Sequence, residues 1–280
     1  MENKMQLQSR NKILDLRVPK VMGILNVTPD SFSDGGRFAD NDSALKKAAE
    51  MVEQGAAIID IGGESTRPGA SDVGLEQELD RVIPVIEKIN ENLDCWISID
   101  TSKAQVMQEA VKAGADLIND VRALREEGAL QVAVEANVPV CLMHMQGQPR
   151  SMQSAPQYEN VVEQVKRFLL ERVQLCIENG LYKDNIILDL GFGFGKQLEH
   201  NFELLGATGD FVKLGFPILT GVSRKSMFGQ LLNRDINTRL AGSLAGAIIA
   251  LQQGSQIIRV HDVAETADAI KVLQAVNSFK

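Results

Sequence analysis

Short apolar runs rich in Val, Ile and Leu begin near Val21, Ala57, Trp96, Ala115, Val138, Asn185, Pro217 and Gln256. Continuous hydrophobicity over a few residues is the mark of a buried parallel strand. Between these runs the period turns helical. Leu45, Ala48, Ala49 and Val52 form one stripe, closed by Gly55, and Val106, Ala110 and Val111 form another, closed by Gly114. Val161, Val165, Phe168, Leu169 and Cys176 end at Gly180, and Leu240, Leu244, Ala247 and Leu251 end at Gly254. Apolar stripes closed by glycine are helices with their usual C-terminal stop. The alternation of eight strand candidates with helices predicts an α/β protein, a single (β/α)8 TIM barrel. A doubly wound open sheet is the competing arrangement. It would want a glycine fingerprint after its first strand, where this chain has Asn26-Val27-Thr28-Pro29-Asp30.

A chain of 280 residues can hold two ordinary domains, or one barrel of about 250 residues with a short extension. No linker or low-complexity tract divides it, so residues 1–20 are assigned to an N-terminal hairpin or extension and 21–280 to the barrel. Ile13-Leu14-Asp15-Leu16-Arg17-Val18 alternates as a hairpin strand would, placed to close the N-terminal mouth. Pro84 falls inside the stripe Leu79, Val82, Ile83, Ile86 and Ile89, which predicts a kink there or a later helix start.

Polar residues recur where the apolar runs end: Asn26, Asp60, Asp100, Asn119, His144, Asp189 and Ser223, then Arg259 and His261. In a barrel those ends meet at the C-terminal rim, where such enzymes keep their chemistry. The net charge of −8 opposes general affinity for nucleic acid or an anionic membrane, so an anionic substrate must be held locally. Cys95, Cys141 and Cys176 are widely spaced in apolar surroundings and read as reduced core thiols. The N-terminus MENKMQLQSRNK lacks a secretory apolar region, and no run of about 18 apolar residues is present. A cytoplasmic enzyme is expected.

Two segments after the first two strands are long for βα connections, which take about 2–6 residues. NVTPDSFSDGGRF runs from Asn26 to Phe38, and GGESTRPGA from Gly62 to Ala70 brings a hydroxyl and a guanidinium between glycines. Together they predict a site that closes over its substrate. GFGFGKQ, Gly191 to Gln197, fails as a P-loop, because Gln197 stands where Ser or Thr is needed and Leu190 where the first glycine would fall. His144 lacks a second histidine or cysteine at metal-ligand spacing.

MGILNVTPDSFSDGG from Met22 and IDIGGESTRPGA from Ile59 resemble the two signature segments of the dihydropteroate synthase family. The likeness continues through SIDTSK from Ser98, GADLINDV from Gly114, LMHMQG from Leu142, GFGFGK from Gly191, GVSRKSM from Gly221 and RVHDV from Arg259. It implies a barrel that joins 6-hydroxymethyl-7,8-dihydropterin diphosphate to p-aminobenzoate, releasing diphosphate, as a homodimer. It places Asp100, Asn119, Asp189 and Met143 on the pterin, with Lys225 as basic donor. A pterin edge alternates donors and acceptors, which carboxylates and amides can match.

Asn26, Thr66, Arg67, Arg259 and His261 are the candidates for the diphosphate, with Mg2+ as bridge and Asn26 as the residue the resemblance associates with that metal. His261 has a structural alternative, a rim histidine bonded to Asp262 or a backbone carbonyl. Ser226 stands where a helix can begin and turn its N–H groups to the aminobenzoate carboxylate. Phe32, Pro68 and Phe194 are candidate apolar walls. Asp34 either stabilises a cationic pterin or is an ordinary turn aspartate beside Gly35. No nucleophilic residue is needed, because the aniline nitrogen attacks the methylene carbon itself; positioning and charge stabilisation are the expected means of catalysis. The chain departs from the family pattern at Leu190, where Pro is expected after Asp189. A folate–corrinoid methyltransferase would share the Asp/Asn pocket without needing Arg67, Arg259 and His261, and a non-catalytic paralogue would not need Lys225 and the loop residues.

Overall fold

The computed structural model describes residues 5–27, 36–65, 72–147, 152 and 156–279, with the backbone alone for 36–40. The apolar runs became β3 (Lys20–Asn26), β4 (Ala56–Gly62), β5 (Trp96–Asp100), β6 (Leu117–Asp120), β7 (Val140–Met143), β8 (Ile186–Asp189), β9 (Ile218–Thr220) and β10 (Ile257–Val260). All pair in parallel, in the closed order β10-β3-β4-β5-β6-β7-β8-β9. The pairing Ile258↔Val21 joins the last strand to the first and excludes the open sheet. Before the barrel, β1 (Gln6–Ser9) and β2 (Lys12–Asp15) form an antiparallel hairpin.

The helices are α1 (Gly36–Glu53), α2 (Leu75–Asn92), α3 (Ala104–Ala113), α4 (Ala129–Ala136), α5 (Val161–Glu178), α6 (Leu198–Gly206), α7 (Thr208–Val212), α8 (Ser226–Leu232), α9 (Leu240–Gln252) and α10 (Val263–Ser278). Helix α3 ends where Gly114 takes φ 130° and returns its N–H to the carbonyls of Ala110 and Val111, a conformation closed to most side chains. Helix α2 corrects the expectation of a late start. It runs through Pro84 from Leu75, because Val82, Val85, Ile86 and Ile89 are fully buried and hold both sides of the proline against the barrel.

Strand alternation sorts the core into two layers. Val21, Ile59, Ile97, Ile118, Val140, Ile186, Ile218 and Ile258 face outward to the helices. Met22, Ile58, Trp96, Leu117, Cys141, Ile187, Leu219 and Ile257, one from each barrel strand, face inward and pack with Leu7, Leu14 and Leu16 of the N-terminal segment. The hairpin is therefore a plug that completes the lower core. Two positions further along the same strands, the inward residues include Asp60, Asn119, Met143, Asp189 and Arg259. The barrel interior changes from apolar to charged within one step of the pleat.

Candidate active site

One pocket opens at the C-terminal ends of the strands, lined by Ile24, Asp100, Asn119, Val121, Met143, Asp189, Phe194, Gly221, Ser223, Lys225, Arg259 and His261. Nine residues singled out from the sequence meet there: Asp100, Asn119, Met143, Asp189, Phe194, Ser223, Lys225, Arg259 and His261. Asn26 is not part of this lining. It ends β3 opposite Gly62 of β4, at the edge of the second long loop. Ser226 is exposed and opens α8, so the expected helix start is present, while its side chain stays outside the pocket. Asp34, Thr66 and Arg67, with Phe32 and Pro68, lie outside the described residues.

Arg259 is the electrostatic centre. Its Nε donates to Asp60 at 2.6 Å and its terminal nitrogen to Asp100 at 2.7 Å. The amide of Asn119 donates to the same Asp60 oxygen at 3.3 Å. Asp60 is 0% exposed, and no role had been assigned to it from the sequence. The available signal was a lone charge between Ile59 and Ile61, which a buried strand tolerates only with a partner. Here it aims the guanidinium: a planar fork held by two carboxylates has one orientation. Burial pushes Asp100 up to about 7, against the pull of Arg259. Burial also works against the guanidinium, but Asp60 and Asp100 more than offset it and hold its pKa above the ordinary value.

Asp189 and Lys225 form the opposite wall. Burial raises the Asp189 pKa while Lys225 lowers it, and one carboxylate oxygen accepts the Gly191 N–H at 2.7 Å. Burial brings Lys225 down to about 8, with Asp189 opposing. The Lys225 ammonium donates to the Phe192 carbonyl and lies 4.5 Å from the centre of the Phe194 ring. Lys225 follows Arg224, a non-glycine residue at φ 58°. Neighbours hold that strained backbone: the Arg224 N–H donates to Ser243 at 2.8 Å, its carbonyl accepts from Arg239 at 3.0 Å, and its guanidinium pairs with Asp262. Asp262 is thus engaged by Arg224, and the His261 ring meets Ser223 Oγ at 3.1 Å through Nδ1.

The glycine segment after β8 is not a phosphate cradle. The Gly193 N–H donates to Asn201 at 2.6 Å, and Lys196 turns into the protein beside His144. Among the described residues no group of three or more His, Cys, Asp or Glu side chains is placed to hold a metal ion.

A closed (β/α)8 barrel whose rim gathers carboxylates, an amide and two cations in one pocket is an enzyme site for a polar heterocycle. The family profile described as pterin binding enzyme matches residues 22–261. The dihydropteroate synthase of Haemophilus influenzae is 56% identical over 271 residues, 97% of this chain and 98% of that protein. Among solved structures, Yersinia pestis dihydropteroate synthase in a sulfonamide drug complex superposes with TM-score 0.93 at 52% identity, covering 98% of this chain and 100% of the other. Xanthomonas albilineans dihydropteroate synthase with 4-aminobenzoic acid gives 0.93 at 47% identity, covering 98% of each. The chain belongs to the pterin-binding enzymes and, within them, to the dihydropteroate synthases.

Proposed function

We propose that this chain joins 6-hydroxymethyl-7,8-dihydropterin diphosphate to p-aminobenzoate, giving 7,8-dihydropteroate and diphosphate. The observation that carries the reading is the convergence of Asp100, Asn119, Asp189, Lys225 and Arg259 on one pocket. Carboxylates and an amide can match the donor and acceptor edge of the pterin ring, with Met143 against its face. Lys225 and Arg259 place positive charge beside these groups, where it stabilises the anion that develops as the C–O bond breaks. The aniline nitrogen forms the new bond to the methylene carbon, the diphosphate oxygen leaves with the bonding pair, and the nitrogen sheds its proton. Phe194 supplies the apolar wall for the aromatic ring of p-aminobenzoate, and His261 extends the row of donors on the rim.

Asn26 is the residue that would hold Mg2+. Its amide oxygen is a hard donor, and a single such donor suits an ion that takes one or two protein ligands and shares the rest with water and substrate phosphates. When bound, the ion neutralises charge on the diphosphate. The active assembly in this reading is a homodimer in the cytoplasm. Exposed Ile249 on α9 and Val272 and Val276 on α10 support a paired face, and three free, buried cysteines suit a reducing compartment.

The test is diphosphate release from dihydropterin diphosphate with Mg2+, with and without p-aminobenzoate, while dihydropteroate is followed in the same sample. One-to-one release and product formation is the expected result. Pterin binding with neither product would overturn it.

A further inference from the structure

The segment Gly191–Lys196 is held between two lysines that engage different carbonyls. Lys225 takes the carbonyl of Phe192 from the pocket side. Lys196 takes those of Gly191 at 2.7 Å and Phe194 at 3.1 Å from the protein side, and its nitrogen lies 3.0 Å from His144 Nδ1. Lys196 is 3% exposed, and three backbone carbonyls and one imidazole surround its amine. A lysine taken out of water without a carboxylate is costly, so its geometry must return something.

Three features show what that geometry fixes. The Gly191 N–H bonds Asp189, the carbonyl next along bonds Lys225, and the ring of Phe194 lies under the Lys225 ammonium. The segment also lies flush against the end of β7. A Cβ on Gly191 would collide with the His144 carbonyl, and one on Gly195 with the Gln146 carbonyl, so this loop and that strand end have one way to fit. His144 is itself locked, edge-on to Phe168 at 5.0 Å, and its burial keeps the imidazole neutral, as an acceptor at Nδ1 must be.

We infer that Lys196 is a positioning residue for the pterin site: by pinning the Gly191 and Phe194 carbonyls to His144 at the end of β7, it sets the placement of Asp189, Phe194 and Lys225. It touches no substrate. This inference rests on the pterin reading above.

The experiment uses the full chain with 6-hydroxymethyl-7,8-dihydropterin as probe in calorimetry, followed by steady-state kinetics. In folded Lys196→Met the affinity for the probe is expected to fall about tenfold to a hundredfold, since an ångström of misplacement in a binding shell costs on that order. KM for the pterin diphosphate should rise by a larger factor than KM for p-aminobenzoate. Phe194→Ala combined with Lys196→Met should lose less than the product of the single losses, because both act through one loop. A purely structural lysine would lower Tm and the active fraction while leaving the pterin KM and affinity of the folded enzyme unchanged, and that result overturns the inference. If Lys196→Met does not fold, His144→Leu, which removes one acceptor and no charge, should still weaken the probe by about threefold or more; unchanged affinity there also overturns it. Absence of probe binding by the unaltered chain would instead remove the pterin reading itself.

Discussion

The two ends of the barrel are made by the same eight strands and could hardly be more different. At the N-terminal end, Met22, Ile58, Trp96, Leu117, Cys141, Ile187, Leu219 and Ile257 close on Leu7, Leu14 and Leu16, and burial of apolar surface holds them together. At the C-terminal end, Asp60, Asn119, Asp189 and Arg259 stand two residues further along and Asp100 four. Ion pairs of Arg259 with Asp60 and Asp100, with hydrogen bonds from Asn119 to Asp60 and from the Gly191 N–H to Asp189, hold them. The lower end tolerates any apolar set of the right volume. The upper end tolerates none, because each charge is there on condition that another faces it. Stability is thus concentrated below and chemistry above, and a barrel of parallel strands lets the two be altered separately.

The largest effect should come from removing the shared cation. Arg259→Met leaves Asp60 and Asp100 buried beside each other without a counter-charge, and kcat/KM is expected to fall about a thousandfold, or ~4 kcal/mol. Steady-state kinetics with both substrates measures this, and a loss below about tenfold would show that the fork is not needed for turnover. The opposite end gives the converse. Trp96→Ala should cost about 3–5 kcal/mol in urea unfolding, while kcat/KM of the folded protein stays within about twofold; a large kinetic loss would mean that the two ends are not separable.

Protonation sharpens the same contrast. Asp100 stands at about 7 in the folded chain against an ordinary 3.8. As pH rises from about 4 to about 7, the unfolded chain gives up this proton while the folded chain keeps it, so the folded state loses stability across that window and no more above it. Urea midpoints from about pH 4 to about pH 8 should show a shallower decline in Asp100→Asn than in the unaltered chain. The Trp96→Ala deficit should be constant over that range, since among the described residues the apolar cluster that holds Trp96 contains one titratable side chain, the Cys141 thiol, which burial pushes well above its ordinary value.

The smallest effect is expected at Leu190, which is fully buried in the outer core beside Asp189. Leu190→Pro restricts the backbone there without removing a functional group, and pterin affinity should change by less than about tenfold. A larger loss in calorimetry would show that the loop depends on this leucine to present Asp189.

Much of this was legible along the chain because strand ends are a local property. Asp100, Asn119, Asp189 and Arg259 each follow or close an apolar run, and the runs begin within about two residues of the observed strands, as boundary reading usually does. His144 was also legible as a strand-end residue, but its partner was not. Lys196 reads as the last residue of a glycine segment and equally as a surface lysine, and only the fold turns it inward to His144. Asp60 was visible as a charge in an apolar strand, yet its bond to Arg259 spans 199 positions, and no periodicity reports a contact of that range.

The sequence by itself determined the eight βα units, the hairpin before them and the kinds of groups that would meet at the rim. Those follow from hydrophobic period, turn residues and helix stops, all of which act over a few positions. Only the tertiary structure decided which face of each strand looks into the barrel. Strands buried on both sides carry no polar alternation to mark the inside, so Ile58 and Ile59 are equivalent on paper. Closure of the barrel sends one to the plugged lower core and the other to the helices, and with them sends Asp60 inward to Arg259.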